Sequence, residues 1–310
     1  MPVFHVQRSM HINAFPDRVF EVVADYGTWT SWSPWLCAEP EAKVTVTEDP
    51  RSVGSVYAWS GEVVGAGELE HRNLEPGQKI DDEIRFLRPM RSVSRVSFDM
   101  QAEDNGTRLT WHMNGSLPWF LFWMTPMMET FIGRDYERGL AMLKEFIETG
   151  TVQSRTTVRG IQPTGPRRIL GVRRTCSLSE IGPSMESAFS EVRQAFRKDG
   201  LPDSGAVVSA YHSFNMKKGI VDFTSGVDCH GTDVAVPAGL TELIIPASKA
   251  LVVEHVGKYS HLGNAWSTGH QHIRYKKLKP AKIPSCEIYR NNPHETAEED
   301  LITEVNLPLR

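Results

Sequence analysis

The second half of the chain repeats itself. From about residue 168 to 310, the order strand–helix–strand–strand reads twice. The third element of the repeat is AVVSAYHSF (Ala206 to Phe214) in the first copy and IPSCEIYRN (Ile283 to Asn291) in the second. Laying Tyr211 on Tyr289 places Ser209 on Glu287. Side chains alternate faces along a strand, so Ser285, Glu287 and Tyr289 share one face while Cys286 and Ile288 share the other. A strand that packs Cys and Ile inward needs a reason to hold Glu beside Tyr on its second face. A ligand pocket is one reason; an exposed strand carboxylate beside a surface aromatic is the plainer alternative. The helices are expected on one sheet face, leaving an open groove on the other at the pseudo-two-fold axis. Asp222 of the first copy falls opposite Glu304 of the second.

Helical periodicity supports the same order. After a strand at Arg168–Thr175, Ile181, Met185, Ala188, Phe189, Val192 and Phe196 form one apolar stripe that Gly200 and Pro202 end. In the second copy a strand at Lys249–Val256 precedes a helix carrying Leu262, Ala265, Trp266, Gly269 and Ile273. Strands are expected at Gly219–Gly226, Ser285–Arg290 and Leu301–Leu307. Residues 151–167, polar and rich in Gly, Thr, Pro and Arg, have the composition of a linker, with a short edge strand within Thr157–Ile161.

The first 150 residues follow a different plan. Val3–Ile12 reads as a strand, and Pro16 suits the first turn of a helix carrying Val19, Phe20 and Val23. Trp29, Trp32 and Trp35 follow; they serve as core anchors under a loop, as the lining of a cavity, or as both. Residues 43–114 are strands and turns, with a hairpin marked by Asn105-Gly106. A long helix over Pro126–Thr149 recurs at Met128, Phe131, Ile132, Tyr136, Leu140, Leu143 and Ile147, with Gly150 as its stop. No His–Asp or paired-carboxylate arrangement stands out, and His112, Arg85 and Arg95 read as structural or exposed.

Composition narrows the function. A length of 310 residues suits two domains, and 40% apolar residues suffice for two cores. Net charge is −4, but the halves differ: residues 1–150 carry 22 acids and 14 bases, and residues 151–310 carry 16 acids and 20 bases. The basic run Arg274–Lys282 is expected as a solvated helix end rather than a phosphate patch. No nucleic-acid motif appears, so direct nucleic-acid binding is not expected. The cysteines at 37, 176, 229 and 286 have no CxxC spacing, and a reduced, cytoplasmic protein is expected. His255, His261, His270 and His272 crowd one region but do not converge by spacing, so neither metal nor cofactor is expected. The opening MPVFHVQRSMHI has no apolar leader-like run. The most hydrophobic window, Leu117–Met128, is too short to span a bilayer; it is expected as a buried turn or cavity lid, with a membrane-touching edge as the alternative.

Two resemblances follow from these words. The phrases FPDRVFEVVADYGTWTSWSPW and GLAMLKEFIE, within the order strand–helix–sheet–long helix, resemble the START-like polyketide cyclase/dehydrase (SRPBCC) superfamily over residues 1–150. That resemblance implies a helix-grip fold, a curved antiparallel sheet around a long helix, with an interior cavity for apolar ligands. The words VVEHVGKYSHLGNAW, SCEIYRNNP and ITEVNLPLR resemble the bacterial GyrI-like (gyrase-inhibitory-protein-like) effector-binding family over residues 168–310. The fold class is then α+β throughout. The second resemblance implies a pocket at the junction of the two copies with Glu287 and Tyr289 in it; Tyr211, by repeat symmetry, and Trp266, by helix position, join them as walls. The implied ligand is small, amphipathic or cationic. Three functions follow from it: sensing, sequestering or detoxifying such compounds; hydrolysis of reactive electrophiles with Glu287 as base and Tyr289 as proton donor; or a protein partnership that modulates gyrase. The same module serves as the ligand sensor of some AraC-type and MerR-type regulators, but no helix-turn-helix precedes either region here.

Overall fold

The computed structural model describes residues 3–202, 205–216 and 218–310, and for Leu121, Phe122 and Met124 the backbone alone. The chain divides into two compact units, Met1–Gln153 and Ser154–Arg310. Both combine an antiparallel sheet with few helices, an α+β architecture.

In the first unit the strands are β1 (Val3–Ile12), β2 (Lys43–Val46), β3 (Val56–Ser60), β4 (Ala66–Glu75), β5 (Lys79–Arg88), β6 (Ser92–Glu103) and β7 (Gly106–Ser116). Helix α1 (Pro16–Ala24) follows β1, and α2 (Thr125–Thr149) closes the unit. The sheet runs β1-β7-β6-β5-β4-β3-β2, so β1 returns to pair with the last strand. Alternation buries one face: Ser94, Val96, Phe98 and Met100 on β6, and Leu109, Trp111 and Met113 on β7. Helix α2 packs on β1 and buries Tyr136, Leu140, Leu143 and Ile147, spaced four, three and four apart. Gly150, at φ 86°, ends the helix, donating its N–H to the Phe146 carbonyl at 2.9 Å. The β6–β7 turn comes one residue earlier than expected: Asp104 and Asn105 form it, with Asp104 at φ 51°, and Gly106 already pairs with Glu103. A Cβ on Gly106 would stand 2.3 Å from the Ile12 carbonyl oxygen, which is why glycine opens the strand.

Aromatic rings fill the space between sheet and long helix. Trp111 stacks on Tyr136 of α2 at 4.0 Å and on Phe98 at 4.9 Å, and meets Trp32 and Trp35 edge-on at about 6 Å. Trp29 and Trp32 are buried. Trp29 donates to the Val23 carbonyl at 2.8 Å and Trp35 to Asp135 at 3.1 Å. The three tryptophans are therefore core anchors.

The window Leu117–Met128 departs from expectation. Leu117 is buried, but Trp119 is 76% exposed, Phe120 58% and Trp123 63%. The segment is a 3-10 turn over Trp119–Met124 that presents rings to solvent rather than a buried lid. Hydrophobicity alone sets the expectation; among the described residues no element covers those three rings where the chain leaves the sheet end.

In the second unit the strands are β8 (Ser154–Thr164), β9 (Arg167–Ser177), β10 (Val207–Asn215), β11 (Ile220–Asp228), β12 (Thr241–Ile245), β13 (Ser248–Gly257), β14 (Ser285–Tyr289) and β15 (Ile302–Leu309), with helices α3 (Ile181–Lys198) and α4 (Gly263–Tyr275). The sheet order is β12-β9-β11-β10-β14-β15-β13-β8. The two copies thus meet at the antiparallel pair β10–β14, flanked symmetrically by β11 and β9 on one side and β15 and β13 on the other. Ser209 faces Glu287, Val207 faces Tyr289 and Tyr211 faces Ser285. Among the paired residues of β10 and β14, only Ser209 and Glu287 are both equivalent in the repeat and opposite each other, so a pseudo-two-fold axis passes between them.

Four expectations need correction. Residues 151–167 are mostly strand rather than linker, since β8 forms the edge beside β13 and β9 begins at Arg167. Strand β12 lies between the copies, outside the repeat that organised the sequence. The ladders align Ser225 with Val305 and Phe223 with Thr303, so Asp222 is not the counterpart of Glu304; Asp222 pairs with Arg173 and Glu304 with Arg290. Finally, the face that holds Glu287 is the helix face. Tyr211 and Phe223 pack with Ile181 and Met185 of α3 and Trp266 of α4, whereas Cys286 and Ile288 pack with Val208 and Ala210 on the other side. Both faces of β14 are buried, so alternation alone could not say which one the helices cover.

Candidate functional site

The position of the site follows from helix placement. Helix α3 packs on β9 and β11, and α4 on β13, β8 and β15. The central pair β10–β14 lies between them in the sheet. Glu287 sits on β14 of that pair and is 3% exposed. Its Oε1 accepts a hydrogen bond from Trp266 Nε1 at 2.6 Å, and its Oε2 one from the Tyr289 hydroxyl at 2.7 Å. The Tyr211 hydroxyl stands near the same carboxyl and favours its ionised form. All four residues singled out in the sequence therefore meet at one group.

The electrostatics are unusual for a buried acid. Both donors and the Tyr211 hydroxyl are neutral, and among the described residues no Lys or Arg forms an ion pair with Glu287. Burial pushes the Glu287 carboxyl above its ordinary range, and the bonds from Tyr289 and Trp266, with the Tyr211 hydroxyl, pull it only part of the way back. Burial, reinforced by the adjacent Glu287, holds the Tyr211 and Tyr289 hydroxyls well above the usual tyrosine range, so both keep their protons as donors.

Further residues complete the surroundings. Ser209, facing Glu287 across the ladder, is buried and bonds to Ser225 Oγ at 2.7 Å; it stands 3.4 Å from the Tyr289 hydroxyl. Met185 of α3 brings its sulfur to 3.8 Å from that hydroxyl, opposite the approach of Trp266 from α4. Tyr259 and Phe189 meet Tyr289 edge-on at 5.7 and 5.8 Å, and Phe214 stacks on Tyr211 at 5.0 Å. Phe214 and Tyr259 are half-exposed and form the rim. Sequence analysis missed Tyr259, Phe189 and Phe214 as wall residues. Phe189 was assigned to the stripe of α3 as core, and Phe214 follows a bulge after Tyr211 that alternation does not anticipate.

The other sequence candidates disperse. His255 is buried and donates through Nε2 to the Lys258 carbonyl at 3.0 Å, while His270 stacks on Trp266. Arg85 is tied to Glu68, Glu70 and Glu83, and His112 to Asp99 at 3.0 Å. Cys286 packs as a hydrophobe, its thiol pushed up to about 12 by burial.

The first unit holds a buried pair that sequence analysis did not find. His71 on β4 and Asp82 on β5 are both fully buried, with Nδ1 to Oδ1 at 2.6 Å. His71 Nε2 lies 2.9 Å from the Ala24 carbonyl, which can only accept. One further proton is therefore shared between Nδ1 and Oδ1. Tyr26 stacks on the imidazole at 3.9 Å.

Comparison with known proteins agrees with this two-part description. Residues 3–148 match the family described as "Polyketide cyclase / dehydrase and lipid transport", and residues 161–310 match the "GyrI-like small molecule binding domain". No curated protein matches the chain. Solved structures similar to part of it include CalU16 from Micromonospora echinospora (16% identity, 47% of this chain and 77% of that one, TM-score 0.34). CV1439 from Chromobacterium violaceum (17%, 48% and 99%, 0.37) and the Aha1 dimer from Colwellia psychrerythraea (15%, 47% and 97%, 0.36) are similar to the same extent. Similarity at that level carries no functional argument. The two family matches, set beside the two folds, make this chain an N-terminal domain of the polyketide cyclase/dehydrase (SRPBCC) family followed by a C-terminal domain of the GyrI-like small-molecule-binding family.

Proposed function

We propose that the second unit is a receptor for small, flat, cationic amphipathic compounds, with Glu287 as their counter-ion, and that the protein senses, sequesters or detoxifies them in the cytoplasm. The observation that carries this is a buried carboxylate bound only by neutral donors. Such a group is costly to ionise, and a ligand cation relieves that cost. The rings of Tyr211, Trp266 and Tyr289 add cation–π attraction of about 0.5–2 kcal/mol each and accept flat ligands of varied outline. Entry requires the half-exposed Phe214 and Tyr259 to part, since the carboxylate is closed over in the free protein.

A second function shares the site. The Tyr289 hydroxyl at 2.7 Å from Glu287 is also the arrangement of a base and a proton donor, which favours hydrolysis of an electrophile. One experiment separates the two. A panel of lipophilic cations and strained electrophiles is titrated into wild type and Glu287→Gln, following tryptophan fluorescence and the mass of each compound. Saturable binding of intact cations, weakened more than tenfold in Glu287→Gln, is the expected result. Unchanged affinity in the variant overturns the receptor function, and turnover lost in the variant replaces it with hydrolysis.

A further inference from the structure

The first unit carries a surface that neither buried cluster explains. Trp119, Phe120 and Trp123 are more than half exposed, and Met127 and Phe131, one turn apart on α2, are exposed beside them in sequence. Exposed apolar side chains are ordinary when scattered, but five within thirteen residues mark a contact surface.

The sheet register shows what else lies at that end. His5, Asn114, Arg95 and Glu83 form one row across β1, β7, β6 and β5. Two residues further along, β1 begins at Val3 opposite Ser116, from which the chain enters the aromatic turn. On the same side, β5 ends and β6 begins through the tip at residues 89–91. Val93 and Met90 there are exposed as well.

The charge of this end is the second observation. The unit is acidic overall, and eight of its eleven arginines are in ion pairs. The other three are Arg88, Arg91 and Arg95, all at the β5–β6 tip or just below it. Among the described residues none has a carboxylate partner; Arg88 reaches only Ser60 and the Gly61 carbonyl. Among the described residues, the arginines of this acidic unit that lack a carboxylate partner thus lie at the sheet end from which the aromatic turn leaves. Indole rings favour the boundary between hydrocarbon and water, and guanidinium forks match phosphate oxygens. With acid elsewhere on the unit, the field turns this end toward an anionic surface and the rest away.

We propose that this end of the first unit docks on an anionic lipid bilayer, inserting Trp119, Phe120 and Trp123 at headgroup depth while Arg88 and Arg91 engage lipid phosphates. The contact is peripheral, since no helix among the described residues is long and apolar enough to cross a membrane.

The test is flotation of the full chain with vesicles of phosphatidylcholine alone and of phosphatidylcholine mixed with phosphatidylglycerol. Wild type floats with the anionic vesicles and less so at high salt. Arg88→Gln with Arg91→Gln weakens that binding by about fivefold for each arginine and leaves binding to neutral vesicles unchanged. Trp119→Ala with Trp123→Ala lowers partitioning to both by roughly tenfold or more. Trp119→Phe with Trp123→Phe keeps binding but loses tryptophan quenching by brominated lipid, which localises the contact. All these side chains are exposed, so thermal unfolding followed by circular dichroism stays at the wild-type midpoint. Failure of wild type to float overturns the proposal, as does flotation that neither the arginine nor the Trp→Ala pair diminishes. A dimer in sedimentation that Trp119→Ala with Trp123→Ala dissociates overturns it too, by assigning the surface to a second copy.

Discussion

Each unit buries a carboxyl group, and the two are partnered in opposite ways. Asp82 has its partner built in: His71 is 2.6 Å away and completes its own bonding through the Ala24 carbonyl. Burial pushes the Asp82 carboxyl up and the bond and charge of His71 pull it back. Glu287 has two neutral donors, a neutral tyrosine hydroxyl nearby and, among the described residues, no paired cation. A buried acid that carries its partner with it is closed to ligands and holds the fold together. One supplied only with neutral donors retains an unmet demand that a ligand can meet. Equal burial therefore says little about role; the charge of the donors decides it.

Breaking each cluster tests that contrast. His71→Ala leaves Asp82 buried without its partner, which costs about 3–5 kcal/mol. Urea unfolding followed through the tryptophans of the first unit should show that loss; a loss under about 1 kcal/mol would mean the pair is not the anchor described. Glu287→Gln should do the reverse at neutral pH and leave the second unit as stable as wild type, or more so. The sign follows from proton uptake. A carboxyl held above its ordinary range keeps its proton in the folded state where the unfolded chain has lost it. Stability therefore falls as pH rises from the ordinary glutamate value through the raised one, and Glu287→Gln flattens that slope. A cation that binds the ionised form releases a proton, so wild-type affinity should rise with pH across the same window. Calorimetry in buffers of different ionisation enthalpy reads that proton directly, and its absence would exclude a carboxyl protonated in the free protein. The smallest effect expected is from Trp266→Phe, which keeps a ring but deletes the Nε1 donor. The pH midpoint of cation binding should move up by about one to two units, the equivalent of one hydrogen bond to a charged group.

Much of this was legible in the chain, for reasons particular residues make clear. Val96, Phe98 and Met100 alternate with polar neighbours, and Tyr136, Leu140, Leu143 and Ile147 keep helical spacing, so β6 and α2 announce themselves. The repeat offset brought Ser209 to Glu287 before any ladder was known. The pair His71–Asp82 was hidden because it depends on the register of β4 against β5, which shifts at a bulge beside His71. The face on which Glu287 lies was hidden because Cys286, Ile288 and Glu287 are all buried. The exposed rings of Trp119, Phe120 and Trp123 were misplaced because hydrophobicity reports what a side chain avoids, not what covers it.

The serine opposite Glu287 has a consequence of its own. A perfectly duplicated sheet would repeat the glutamate across the axis, with two carboxylates about 5 Å apart and unable to ionise together. Ser209, small and bonded to Ser225, breaks that symmetry while leaving the backbone pairing intact. Duplication supplied two matched strands, and one unmatched position gives the proposed receptor a direction: a carboxyl on one side, a hydroxyl on the other. The proposed ligand, with one charged end, would then have one way to lie there.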